Sequence, residues 1–324
     1  MSFEFSAETN PSKELQMEVE AFAPANPFYT STYIEARRLL GFQPCVFTLR
    51  QDGQLRTACT AFMKSGFLNR SLEITSLASI PDSDAFWEGL QQFCRKVRVS
   101  YLEVNSFAST SVDIPSLPGE IERRIRWEYV LELQKPGLWD RLSSNHVRNI
   151  KRGRRAGLQV RRAVDALACR EHARLVEASM NRRESRGESV PEDIHAHRFV
   201  AITHSGAGEL FQVTLAGKVL SSLLVLLADQ GAFYKSAGTS SEGMACGASH
   251  FLVHEIANIL RARSMELFNL GGTAQLNTGL ERFKAGFGAT TVKLEAAQFF
   301  LGRKARRKFG TTIRSSRDNS VNIL

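Results

Sequence analysis

Cysteine is scarce and scattered: Cys45, Cys59, Cys94, Cys169 and Cys246 include no close pair. Neither a zinc knuckle nor a redox dithiol can start from such spacing, which points to a reducing compartment. Long apolar runs are missing too. The longest, LLVLLA, is far too short to cross a bilayer. The N-terminal MSFEFSAETNPSKELQMEVE is polar and acidic, not a basic segment followed by an apolar core. The expectation is a cytoplasmic protein without a transmembrane segment. No Walker loop, dinucleotide fingerprint, serine-hydrolase elbow or H-E-x-x-H occurs. His250 and His254 share a helical face but have no third ligand nearby, and His195 and His197 do not share one. No metal is expected.

What is present is an ordinary soluble composition, 43% hydrophobic and 23% charged, over 324 residues. That length exceeds the usual single core and suits two domains. The net charge of +9 is local. RNIKRGRRAGLQVRR, residues 148–162, has seven basic and no acidic residues, and 301–324 has seven basic residues and one aspartate. Without these two segments the chain is slightly acidic. Such patches attract the phosphates of a nucleotide, a coenzyme or RNA alike, or are simply a solvated face and a tail.

Periodicity gives a mixed order of elements. NPFYTSTYIEARRLLG reads as a helix stopped by Gly41, and PCVFTLR and LRTACTAFM as a hairpin around Asp52-Gly53. SLEITSLA is a strand. Phe86, Leu90, Phe93 and Val97 mark a helical stripe with Asp82 or Ser83 as its cap. SYLEVNSF and IRWEYVLEL are two more strands, and Pro136 closes the half. A basic helix with Trp139, Leu142, Val147 and Ile150 on its dry side follows, ended by Gly157. After strand LQVRRAV come a helix capped by Asp165 and a second helix. Residues 209–238 change period and read as a three-stranded antiparallel meander. A helix, the strand MELFNL, a short helix and the strand TTVKLEAAQFF complete the chain. No sequence repeat links the halves.

Two segments carry chemistry. In YKSAGTSSEGMACGASHFLVHEIANIL a strand ends in a glycine-rich turn before an amphipathic helix. Gly243 and Gly247 would let the turn approach a ligand, and first-turn N–H groups would face an anion. In FNLGGTAQLNTGLERFKAGFGATTVKLE a glycine-broken turn leads to Lys284, with Phe283 and Phe287 sharing a side of a short helix. A lysine so placed binds a phosphate or carboxylate as a point charge.

GMACGASHFLVHEIANILRARSMELFNLGG and GLERFKAGFGA resemble the C-terminal halves of the FemAB-like branch of the GCN5-related N-acyltransferase (GNAT) superfamily. That pattern has a glycine-led helix, a strand ending in Tyr or Phe, Asp or Asn and Leu-Gly, then G-[ILV]-x-x-F-K-x-x-F-G. LWDRLSSNHVRNIKRGRRAGLQVRRA resembles the basic helix leading into the family's second domain, and NPFYTSTYIEARR the start of its first. The resemblance implies an α/β (α+β) protein of two tandem N-acyltransferase-like domains, each with a mixed, mostly antiparallel sheet flanked by helices. Their expected bounds are 1–136 and 137–300, with 301–324 a basic C-terminal tail.

The implied activity is N-acyl transfer from an acyl-CoA thioester to a small amine, amino sugar or peptide-like acceptor. Acyl-CoA is then a cosubstrate, and no cofactor is permanently bound. The alternatives are a transferase that uses aminoacyl-tRNA as carrier and acts on a peptide or cell-wall precursor, and a non-enzymatic RNA- or partner-binding domain. By resemblance Gly243, Gly247 and Ala248 fall in the carrier-phosphate turn, beside Arg148 and Arg152 of the basic helix. Asn269, Phe283, Lys284 and Phe287 fall on the acceptor side. Two departures stand out: position 269 is asparagine where aspartate is common, and no long heptad arm like that of the tRNA-using bridge enzymes is present. The attacking amine must lose a proton and the oxyanion needs a donor. Tyr234 and Lys284 are the candidate catalytic residues, with Tyr234 placed to protonate the leaving group. Glu209 and Glu281 are candidate bases.

Overall fold

A computed structural model describes residues 3–66, 69–77, 84–107, 114–187, 194–273 and 278–301. The expected cap at Asp82 or Ser83 and nearly all of the basic tail lie outside these residues. The chain divides into two compact units, one of residues 1–11, 42–125 and 294–324, the other of 12–41 and 126–293.

The first unit holds β1 (Phe3–Thr9), β2 (Gln43–Gln51), β3 (Gln54–Ser65), β4 (Arg70–Leu77), α3 (Asp84–Lys96), β5 (Val99–Ser106) and the outer part of β12 (Thr290–Phe300). Its strand order is β1-β2-β3-β4-β5-β12. Only β4 and β5 pair in parallel; the other neighbours are antiparallel. Asp52 and Gly53 both have positive φ, at 49° and 80°, which suits the right-handed twist of the β2–β3 hairpin. Phe86, Leu90 and Phe93 of α3 are buried, as their spacing predicts, and Phe93 meets Phe47 edge-on at 5.0 Å.

The second unit begins with α1 (Lys13–Phe22) and α2 (Ser31–Leu39), capped by Ser12 and Thr30. It resumes with the inner part of β6 (Glu120–Glu132), α4 (Ser144–Arg155), β7 (Gln159–Ala163), α5 (Ala166–Glu184) and α6 (Ala196–His204). The strands β8 (Gly208–Leu215), β9 (Lys218–Leu227) and β10 (Gly231–Thr239) follow, then α7 (Ser241–Ala245), α8 (Ala248–Ala262), β11 (Leu267–Thr273) and α9 (Thr278–Ala285). Strand order is β6-β11-β10-β9-β8-β7. The meander expected at 209–238 is β8, β9 and β10, all antiparallel. Asp165 caps α5 through Ala168 N at 2.7 Å, and Gly157, at φ 77°, follows α4.

Two expectations need correction. The units are not separated by one cut near Pro136, because α1 and α2 pack with the C-terminal segment and β6 runs from one unit into the other. Nor does β12 belong wholly to the second unit: Ala296–Phe300 pair with Asn105–Tyr101 of β5. Ladder hydrogen bonds join residues far apart in sequence, which local periodicity does not register.

Candidate active site

The parallel ladder between β10 and β11 is three pairs long, Gly231 with Leu267, Ala232 with Phe268 and Phe233 with Asn269. Beyond it β10 continues to Thr239 and β11 to Thr273, with no further pair between them among the described residues. Both strands bulge where the ladder stops. Lys235 is the extra residue of β10 against β9, and Leu270 and Gly271 together oppose Tyr129 of β6. Gly271 has φ 74°, a conformation that glycine enters without a Cβ penalty. Bulges re-aim side chains, and here they mark a fork in the sheet.

Lys284 reaches that fork from α9. It is only 5% exposed, and its Nζ donates to the Gly272 carbonyl at 2.7 Å. Its ammonium also lies 6.0 Å from the centre of the Tyr129 ring. Burial is the main force holding its pKa down at about 7; Glu128 opposes that shift and Arg183 adds to it. A surface lysine would not behave this way. Phe287 is buried and Phe283 half-buried, their rings edge-on at 5.2 Å and packed against His146 and His250.

Asn269 is 2% exposed and turned inward. Its Nδ2 donates to Glu128 Oε2 at 2.7 Å, and its Oδ1 accepts from Gly271 N at 2.7 Å. The side chain expected to face an acceptor therefore fastens the bulge. Tyr234 packs half-buried against the core of this unit, and burial pushes its hydroxyl above the ordinary range, so it stays protonated as a donor.

Gly243 and Gly247 have packing reasons for being glycine. A Cβ at Gly243 would meet the Leu220 carbonyl oxygen at 2.5 Å, and one at Gly247 the Asn149 oxygen at 2.5 Å. Gly247 also has φ 77° and stands at the start of α8 with no side-chain cap, followed by buried Ala248. First-turn N–H groups of a helix lack intrahelical partners. Arg152 ties α4 to this turn by donating to the Ala245 carbonyl at 3.2 Å, while Arg148, Lys151 and Arg155 are exposed with no acidic partner among the described residues.

Histidines that the sequence reading left unassigned complete the surroundings. His146 is buried; its Nε2 donates to the Phe283 carbonyl at 2.8 Å, leaving Nδ1 to accept from Ser143 at 2.8 Å. It thereby holds the residue before Lys284. His172, fully buried, bonds Ser222 at 2.9 Å and Ser236 at 2.8 Å, next to the β10 bulge, and burial lowers its pKa to about 3. The legible signal was its place in the buried stripe Ala168, Cys169, His172, Leu175 and Val176 of α5. For Glu128 no comparable signal existed. Glu209, a candidate base, is occupied by Arg162 and Arg263, each at 2.8 Å.

Residues 141–285, which contain the fork, Lys284 and all of α9, match the family model for an acetyltransferase (GNAT) domain. This segment is therefore similar to GNAT acetyltransferase domains. Solved structures agree on the fold around it. FemX superposes with a TM-score of 0.70 at 13% identity, covering 93% of this chain and 99% of FemX. A tandem GNAT protein from the clavulanic acid biosynthesis pathway gives 0.56 at 13%, covering 93% and 99%. The C-terminal domain of a putative lysylphosphatidylglycerol synthetase from Agrobacterium fabrum gives 0.54 at 14%, covering 89% and 92%. At these identities the likeness is one of fold. No curated protein matches the chain. The matched segment lies within the second unit, so the fork, the α8 turn and the buried lysine belong to one compact body.

Proposed function

We propose that the protein is an N-acyltransferase that takes its acyl group from an acyl-CoA thioester, with Lys284 at the reaction centre. One observation carries this reading: a buried amine that titrates near neutrality is held at the Gly272 carbonyl where the β10–β11 ladder ends. The unpaired strand edges offer N–H and C=O groups to an extended, amide-containing carrier arm. The α8 turn, with Ala248 in its first turn and Arg148 and Arg152 on the facing helix, suits the carrier's phosphates.

Chemically, the acceptor amine forms a C–N bond as the C–S bond breaks, and one proton must pass from nitrogen to sulfur. The Lys284 ammonium stabilises the oxyanion and gives its proton to the thiolate; the neutral amine then takes the proton shed by the new amide nitrogen. A group near pKa 7 suits both steps, and Tyr234 adds a neutral donor. Phe283 and Phe287 exclude water, and Asn269 keeps the bulge in shape. The acceptor is an amine of small-molecule or peptide-like type.

A panel of acyl-CoA thioesters and amines, followed by release of free thiol, tests the reading. Turnover with one pair and its loss in Lys284→Met is expected. Absence of both thiol release and saturable coenzyme A binding across the panel would overturn it. The exposed run Arg148, Lys151 and Arg155 favours a second reading, an aminoacyl-tRNA carrier. Salt-sensitive binding of charged tRNA with acyl transfer from it would select that reading, since phosphate contacts weaken steeply with salt.

A further inference from the structure

The polar groups beneath the fork form one connected path. It starts on β6, where Arg126 pairs with Glu128 at 3.1 Å. Glu128 is 1% exposed, and its second oxygen accepts from Asn269 Nδ2 at 2.7 Å. Asn269 accepts from Gly271 N, and the next residue's carbonyl holds the Lys284 ammonium, also at 2.7 Å. Glu128 and Gly272 are direct partners across the β6–β11 ladder, and Glu128 Cγ lies 3.5 Å from where a Gly272 Cβ would sit. A carboxylate this deeply buried is retained only with partners that offset its desolvation, and its partners here lead to the reactive amine.

We propose that Glu128 is a positioning residue for Lys284: it fixes the Gly271–Gly272 bulge through Asn269 and supplies the negative charge that keeps the buried amine partly protonated. The inference rests on the acyltransferase reading only for its consequence in turnover. The charged groups that act on the amine are Glu128 from β6, itself paired with Arg126, and Arg183 from α5; the Tyr129 ring of β6 and the Tyr234 carbonyl of β10 stand near it, and β11 contributes the uncharged Asn269. Glu128 is the anion among them that opposes the downward shift, with Arg183 acting the other way. Removing it leaves an excess of positive charge around the ammonium, which favours the neutral amine.

The test reads Lys284 directly, without substrate. In lysine-labelled protein the Lys284 NMR signal is identified by its disappearance in Lys284→Arg and titrated in the full chain. Glu128→Gln is expected to lower its midpoint by about one pH unit. The swap Glu128→Gln/Asn269→Asp moves the carboxylate across the same hydrogen bond and should restore the midpoint. Asn269→Asp alone, which adds a second carboxylate, should raise it, and decides the matter if the Gln variant does not fold. Glu132→Gln, exposed on the same strand, is the control and should change nothing. Coincident midpoints in the parent, Glu128→Gln and Asn269→Asp, or a swap that fails to restore the parent value, would overturn the proposal. A parent that transfers no acyl group would defeat the proposed function instead, while the titration would still decide the role of Glu128.

Discussion

The two units are built on the same plan. Each has three successive antiparallel pairs, then one parallel pair, then a last antiparallel strand: β1-β2-β3-β4-β5-β12 in one and β7-β8-β9-β10-β11-β6 in the other. They differ at the parallel pair. In the first unit the β4–β5 ladder shifts register twice but still carries pairs from Arg70 and Val99 through to Leu77 and Ser106. In the second the ladder stops after three pairs, and a buried lysine stands at the gap. Charge follows the same division. The half-buried ionic group of the first unit is a closed set, Arg123 bonded to Glu120, Glu295 and the Ile114 carbonyl, whereas in the second the path from the buried Glu128 ends on an amine. All seven histidines also lie in the second unit. A duplicated topology therefore does not duplicate its surroundings, and the proposed chemistry depends on where one ladder ends and what is buried there.

The sharpest way to break the comparison is at the gap itself. Lys284→Met should lower turnover by about 100-fold or more, the loss typical of an oxyanion donor, while Lys284→Arg keeps the charge but not the proton exchange and should fall between. Steady-state kinetics with both substrates varied checks this; a change confined to the acceptor's KM would reduce Lys284 to a binding contact.

Next in size is the α8 turn. Gly247→Val places a branched side chain at φ 77° against the Asn149 backbone, and should cost about 2–4 kcal/mol of stability in urea unfolding. A variant as stable as its parent would show that the turn relaxes and return Gly247 to a purely ligand-facing role.

Acid should also separate the units. Burial holds His172 at about 3 and His250 at about 4, below the ordinary value of 6.5. The unfolded chain then binds more protons between those values, so stability falls as pH drops from about 6.5 towards 3. Residue-resolved hydrogen exchange, corrected for intrinsic rates, should show protection lost in the second unit at pH 4.5 and largely kept in the first. Equal loss in both would assign acid sensitivity to carboxylates instead.

Smallest is Arg123→Met. Because the pairs of Arg123 are partly solvated, it should cost on the order of 1 kcal/mol, with kcat unchanged. A large fall in kcat would show that the closed ionic group of the first unit matters to the chemistry after all.

Much of this architecture was readable residue by residue. The stripe Phe86, Leu90 and Phe93, the cap at Asp165, the Asp52-Gly53 turn and the three-stranded meander are local signals, and local signals survive in the fold. The Phe283-Lys284-Phe287 spacing likewise predicted a shared ring face. His172 was half legible, as a polar residue in an apolar stripe.

What the sequence alone determined, then, is the set of elements and the short motif around Lys284, since helical and strand periods, caps and tight turns depend on residues a few positions apart. Tertiary structure decided the rest. It assigned β6 and β12 across the units, gave Gly243 and Gly247 their backbone neighbours, and turned Asn269 inward onto a carboxylate 141 residues away. It also made Lys284 a neutral-range amine rather than a surface cation. The reason is physical: ladder pairing and desolvation are set by whatever the folded chain brings within a few ångströms, and neither leaves a periodic trace along the sequence.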